Sequence, residues 1–135
     1  MNARSRQFID NERVRDAIRR AEQTTDAPIS VSIAPHFWGD VRRTAHRVLR
    51  RQGLTRLPAR NAVHFFVAPS RRKFAVVGDA GAHERLGQDV WDSVAATVQA
   101  HFRRDDPTGG LVAGIEELGL HLARHFPRKP VTNET

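Results

Sequence analysis

The stretch Ala62-Val63-His64-Phe65-Phe66-Val67-Ala68 decides the fold. Apart from one imidazole it is apolar at every position, so as a strand it has no face to offer water. Such a run belongs in the middle of a sheet covered on both sides. Upstream, Ile29-Ser30-Val31-Ser32-Ile33 alternates strictly and predicts a strand with Ile29, Val31 and Ile33 on one side. Downstream, Pro69 to Lys73 predict a turn, and Phe74-Ala75-Val76-Val77 a third strand that pairs with the central one as a hairpin.

The cover must come from helices, and the remaining sequence supplies them. Val14, Ala17, Ile18 and Ala21 follow helical spacing behind Asp10, an N-cap residue, with Ile9 and Val14 placed as a hydrophobic staple. Val41, Ala45, Val48 and Leu49 mark a second helix that ends at Gly53, a natural residue just past a helix C-terminus. Val90, Trp91, Val94, Ala95, Val98 and Phe102 mark a long third helix after Gly87, with Trp91 in the core. Asp106-Pro107 reads as an N-cap followed by proline at the first helical position, opening a last helix with Leu111, Ile115, Leu118 and Leu122 inward. The expected order is therefore α, β, α, β, β, α, α. It implies an α/β fold, a three-layer α/β/α sandwich around a small mixed sheet, as a single domain over residues 1–127 with a loose polar tail at 128–135.

The 135 residues give room for one domain. No stretch reaches the roughly 20 apolar residues of a membrane span. The N-terminus is basic without an apolar segment behind it, which predicts no secretory signal and a cytoplasmic chain. Cysteine is absent, so disulfides, thiolate zinc sites and cysteine nucleophiles are excluded together. The formal net charge is +7, and 20 of the 22 basic residues are arginine. Codon usage in a GC-rich genome is enough to produce so one-sided a choice, so the charge is discounted as a functional signal. No nucleic-acid motif accompanies the charge, there is no tyrosine, and no aromatic residues interleave the basic stripes, so nucleic acid is not the expected partner.

Several short strings have a recognisable order and spacing. Ala21-Glu22-Gln23-Thr24-Thr25 is followed by Ile29-Ser30-Val31, and Arg60-Asn61-Ala62-Val63 by Val67-Ala68-Pro69. Gly78-Asp79-Ala80-Gly81, Trp91, and Phe102 through Asp106 to Gly110-Leu111 complete the series. Together, from about residue 9 to about residue 127, they resemble the TPM domain family of thylakoid lumen photosystem II repair proteins and their bacterial relatives. The resemblance implies an α/β/α sandwich. For some relatives it also implies binding of a divalent cation, usually calcium, and acid phosphatase activity.

Asp79 is the first candidate ligand, because it follows a strand end, where open α/β sheets bind their ligands. A hard cation such as calcium needs several oxygen ligands, and Asp105 and Asp106 are the carboxylates that would share it. Asp40, after the first strand, is a further candidate. Capping explains Asp40 as well and is the better account of Asp106, and a turn explains Gly78 to Gly81. Asn61 would stand near the same crevice. Thr108 occupies a place where many relatives have a carboxylate, and Ala62 one where they have glycine. His121 and His125, four apart on the last helix, lack the glutamate of a zinc-protease motif. His64 reads as a hydrogen-bonded core histidine. Arg43, Arg47 and Arg50 form a stripe on the second helix, and Arg71, Arg72 and Lys73 cluster in the hairpin turn. A solvated surface is the default reading of both groups. Three functions follow: a calcium-binding, phosphatase-like domain; a non-catalytic module that docks on another protein, at a membrane-associated repair or quality-control complex; and, from charge alone, nucleic-acid binding.

Overall fold

The alternation of side chains along the central strand divides the molecule into two cores. A computed structural model describes residues 8–130. β2 (Val63–Ala68) is buried at all six positions. Val63, Phe65 and Val67 point to one face and Phe66 to the other, where each joins a separate apolar cluster. An uninterrupted apolar run is what a strand with two covered faces requires. β1 (Ile29–Ile33) pairs with β2 in parallel, Ile29 opposite Val63, and β3 (Lys73–Gly78) pairs antiparallel, Gly78 opposite Val63. The sheet is mixed and small, in the order β1-β2-β3.

One helix, α2 (Val41–Arg51), covers the Phe66 face with Ala45 and Leu49. Four helices cover the other: α1 (Asn11–Glu22), α3 (Ala80–Leu86), α4 (Gln88–Arg103) and α5 (Pro107–His125). The three-layer α/β/α arrangement is thus the one expected from the sequence, and Trp91 lies in the core, 6 % exposed. Asp10 caps α1 by accepting from the main chain of Glu12 and Arg13. Gly53 has φ 74°, as a residue just past a helix end should. α3 is an addition to the expected order. Its seven residues are too few for a clear helical period, and glycine, a poor helix former, stands in its first turn.

Thr108 serves the fold: its Oγ1 accepts from the Asp10 N–H at 3.0 Å, tying the start of α1 to α5. Residues 128 and 129 are attached to the end of α1 and the turn after it, where Arg128 donates to the Glu22 carbonyl at 2.7 Å and the Lys129 N–H to Asp26. The rest of the expected tail, 131–135, lies outside the described residues, as does the basic stretch 1–7. Among the described residues no helix is long and apolar enough to cross a membrane.

Candidate functional site

Asp79 follows the last residue of β3 and caps α3, so the strand end fixes its main chain and the helix start fixes its side chain. Its Oδ1 accepts from the Ala80 N–H at 2.8 Å and from Arg60 Nη2 at 2.6 Å, while Oδ2 accepts from Arg60 Nε at 2.6 Å. The carboxylate is 5 % exposed and the arginine 48 %. Burial alone would push the Asp79 carboxyl up. The Arg60 hydrogen bonds, the Ala80 N–H and the Arg60 charge together outweigh it and hold the carboxyl below its usual 3.8. Arg60 is correspondingly raised by its hydrogen bonds to Asp79 and then by the carboxylate charge.

The glycines around Asp79 explain how this pair is held. A Cβ on Gly81 would sit on the Ala59 carbonyl oxygen and 2.8 Å from that of Arg60, so the main chain of α3 rests directly on the segment before β2. The Ala82 N–H donates to the Arg60 carbonyl at 3.0 Å, locking the same contact. Arg60 adopts φ 51°, in the left-handed region, and from there its guanidinium meets Asp79. A Cβ on Gly78 would meet the Trp91 ring at 2.7 Å.

A cleft of about 290 Å³ opens over this pair, lined by His46 and Arg50 of α2 together with Thr55, Arg60, Gly78 and Asp79. The cleft is cationic, because its carboxylate is already neutralised by Arg60. Burial, and then the charges of Arg42, Arg50 and His83, lower the His46 pKa below its usual 6.5. Of the exposed stripe Arg43, Arg47 and Arg50, only Arg50 lines the cleft. Asn61, the other residue expected at the crevice, is buried ahead of β2, 4 % exposed, and does not line the cleft.

The other candidate carboxylates stand elsewhere. Asp105 pairs with Arg72, which precedes β3, whereas Asp79 follows β3. A six-residue strand spans roughly 20 Å, so the two ends cannot share one ion. Asp106 accepts from the Gly109 N–H at 3.0 Å and caps α5. Asp40 caps α2 through the Arg43 N–H at 3.0 Å, and that hydrogen bond is the main cause of its lowered pKa. Arg71 donates to the carbonyls of Phe37 and Gly39 and lies over the Trp38 ring, and Lys73 is exposed at the start of β3. His121 and His125 are half-buried on α5. Among the described residues no three histidine, aspartate or glutamate side chains are grouped to hold a metal. As placed, the carboxylates do not form the many-oxygen shell that calcium requires.

Sequence reading passed over His46 and Thr55 and treated Arg60 only as part of a motif. The one available signal was charge balance: a carboxylate inside an apolar strand-end motif needs a cation, and Arg60 is the nearest arginine ahead of the central strand.

The sequence profile of the TPM domain matches residues 5–120. Among solved structures the chain is similar to the BA42 protein of the psychrophilic bacterium Bizionia argentinensis, at 32 % identity and a TM-score of 0.81, over 90 % of this chain and 86 % of that one. It also shares its fold with the N-terminal domain of the cg2496 protein of Corynebacterium glutamicum, at 19 % identity and a TM-score of 0.63, over 81 % of this chain and 68 % of that one. No curated protein matches. With most of its length matched and the α/β/α layers in place, the chain belongs to the TPM domain family.

Proposed function

We propose that the cleft over Asp79 binds the phosphate group of a phosphomonoester. The observation that carries this reading is the meeting of Arg60, Arg50 and His46 around a carboxylate that Arg60 already neutralises. A planar guanidinium offers paired donors that match phosphate oxygens as well as carboxylate oxygens. A phosphate that draws Arg60 toward itself therefore substitutes for Asp79 without leaving the arginine unpaired. Hydrolysis is the stronger form of the proposal. Asp79, released from Arg60, then takes a proton from the attacking water as the water oxygen bonds to phosphorus. The bond from phosphorus to the ester oxygen breaks, and the departing alcohol takes a proton from solvent.

The pH dependence follows from His46. Burial first, and then its cationic neighbours, disfavour its protonated form, and a bound dianion favours it, so binding takes up a proton and affinity rises as pH falls through the lowered His46 pKa. Sulfate is the suitable probe for this arm, because it stays a dianion across the range. Calorimetric titration of sulfate should show tighter binding at pH 5 than at pH 8, with the difference lost in His46→Gln. Titration of phosphate into Arg60→Gln should show affinity reduced about ten-fold or more. Unchanged phosphate affinity in that variant removes the proposal. Calcium binding that saturates and vanishes in Asp79→Ala would replace it with a cation site. Turnover of a phosphomonoester that is lost in Asp79→Asn supports hydrolysis, and binding without turnover limits the cleft to recognition.

A further inference from the structure

β3 is an edge strand, and its open side lies at the bottom of a groove. Among the described residues β2 alone pairs with it. The Asp79 N–H donates to the Ala62 carbonyl at 2.8 Å, which sets the phase of the antiparallel ladder. In that phase Lys73, Ala75 and Val77 turn their main-chain groups to β2, and Phe74 and Val76 turn theirs to the open side. Among the described residues no partner takes up the main-chain groups of Phe74 or Val76 on that side. A cleft of about 520 Å³ runs along Lys73 to Val76, between Val41 and Arg42 of α2 and a wall of α4 that includes Trp91 and Asp92. A second, smaller recess continues it past Val77 and Gly78.

We propose that this groove is a docking slot for one extended, acidic segment of a partner protein, which adds to the sheet as a fourth strand beside β3. Three observations select that occupant. Unpaired main-chain donors and acceptors at strand spacing are satisfied by another strand and not by a helix, whose own groups are used internally. The recess between α2 and α4 admits a single chain but holds back a second copy of this protein, since its β3 edge is equally recessed. Arg42 and Lys73 line the groove and, among the described residues, have no ion-pair partner. The carboxylate on the opposite wall, Asp92, accepts from Gln88 at 2.9 Å. The slot thus presents excess positive charge along one wall and calls for glutamate or aspartate on the incoming strand. Lys73 also protects the edge against unselective sheet pairing, a common use of lysine there.

The probe is a synthetic peptide of about eight residues, a common strand length, that alternates valine with glutamate. Two controls share its length: one with lysine for glutamate, the other with alternate amides N-methylated so that no ladder forms. The expected result is saturable binding of the glutamate peptide, with the Phe74 and Val76 amides becoming protected from hydrogen exchange. The double variant Arg42→Glu with Lys73→Glu should weaken that binding about ten-fold. Val76→Pro, which removes an outward donor and leaves the β2 ladder intact, should abolish the protection. Lack of binding overturns the proposal. Equal binding of the lysine or N-methylated peptide overturns it as well, and so does protection of Phe74 and Val76 by self-association without peptide.

Discussion

Gly81→Ala destabilises the fold by about 3 kcal/mol or more, at the upper end of what a forced overpacking costs. The reason is the nature of the obstruction. The new methyl group would stand on the carbonyl oxygen of Ala59 and close to that of Arg60, both main-chain atoms with no rotamer to change. Relief requires α3 to lift away from the segment before β2. That movement lengthens the Ala82 N–H to Arg60 carbonyl bond and pulls Asp79 from its arginine. Urea unfolding is the check, and the melting temperature should fall by roughly 10 °C. Gly53→Ala is the matched control, because Gly53 has φ 74° but open space around it. Only the left-handed backbone penalty of about 1 kcal/mol applies there. Equal losses in the two variants would mean that α3 and the Ala59–Arg60 segment are not in tight contact.

The second large effect is loss of stability in mild acid. His64 is fully buried in β2, its Nδ1 stands 2.7 Å from Ser30 Oγ, and its Nε2 has no hydrogen-bond partner. Burial pushes its pKa from 6.5 down to about 4. A histidine depressed in this way stays neutral in the folded protein while the unfolded chain binds a proton, so the unfolded state holds more protons between the two values. Stability is therefore full above pH 6.5 and declines toward pH 4, by about 3 kcal/mol over that window. His46 is lowered as well and adds to the same slope. Asp79 and Asp40 are lowered carboxylates, whose contribution is present above 3.8 and falls away only below it. Urea titrations at pH 7 and at pH 4.5 should show most of this loss in the wild type and much less of it in His64→Phe, which keeps a ring of similar size without a basic nitrogen. A variant as acid-sensitive as the wild type would assign the effect to other groups.

Much of the fold was legible because local rules and global packing agree. The run from Ala62 to Ala68 has no polar side, and both of its faces are indeed covered. Asp10, Asp40 and Asp106 sit at helix starts and all three serve as caps. The candidate site was less legible, for a physical reason. A carboxylate at a strand end reads the same in sequence whether it faces a cation, water or an arginine nineteen positions away. The guanidinium that meets it belongs to Arg60, whose left-handed backbone is uncommon for a residue with a side chain and is not marked in the sequence. Asp105 and Asp106 are adjacent in sequence but serve different ends, one paired to Arg72 and the other capping α5. Neither role can be reached from their spacing to Asp79.

The tie between the start of α1 and α5 has a consequence for the order in which the protein matures on the ribosome. The Asp10 main chain bonds to Thr108, 98 positions later, and the Ala21 side chain of α1 lies against Gly119 of α5. Until α5 has left the exit tunnel, α1 lacks the main surface on which it buries Val14, Ala17 and Ala21. The early part of the nascent chain must therefore wait as a short amphipathic helix, which alone is marginal in water. Contacts of such long sequence separation slow folding and leave apolar surface exposed in the interval. A chaperone that shields that helix would act in the interval between the emergence of α1 and that of α5, and a stalled chain ending ahead of Thr108 should remain open to protease at α1.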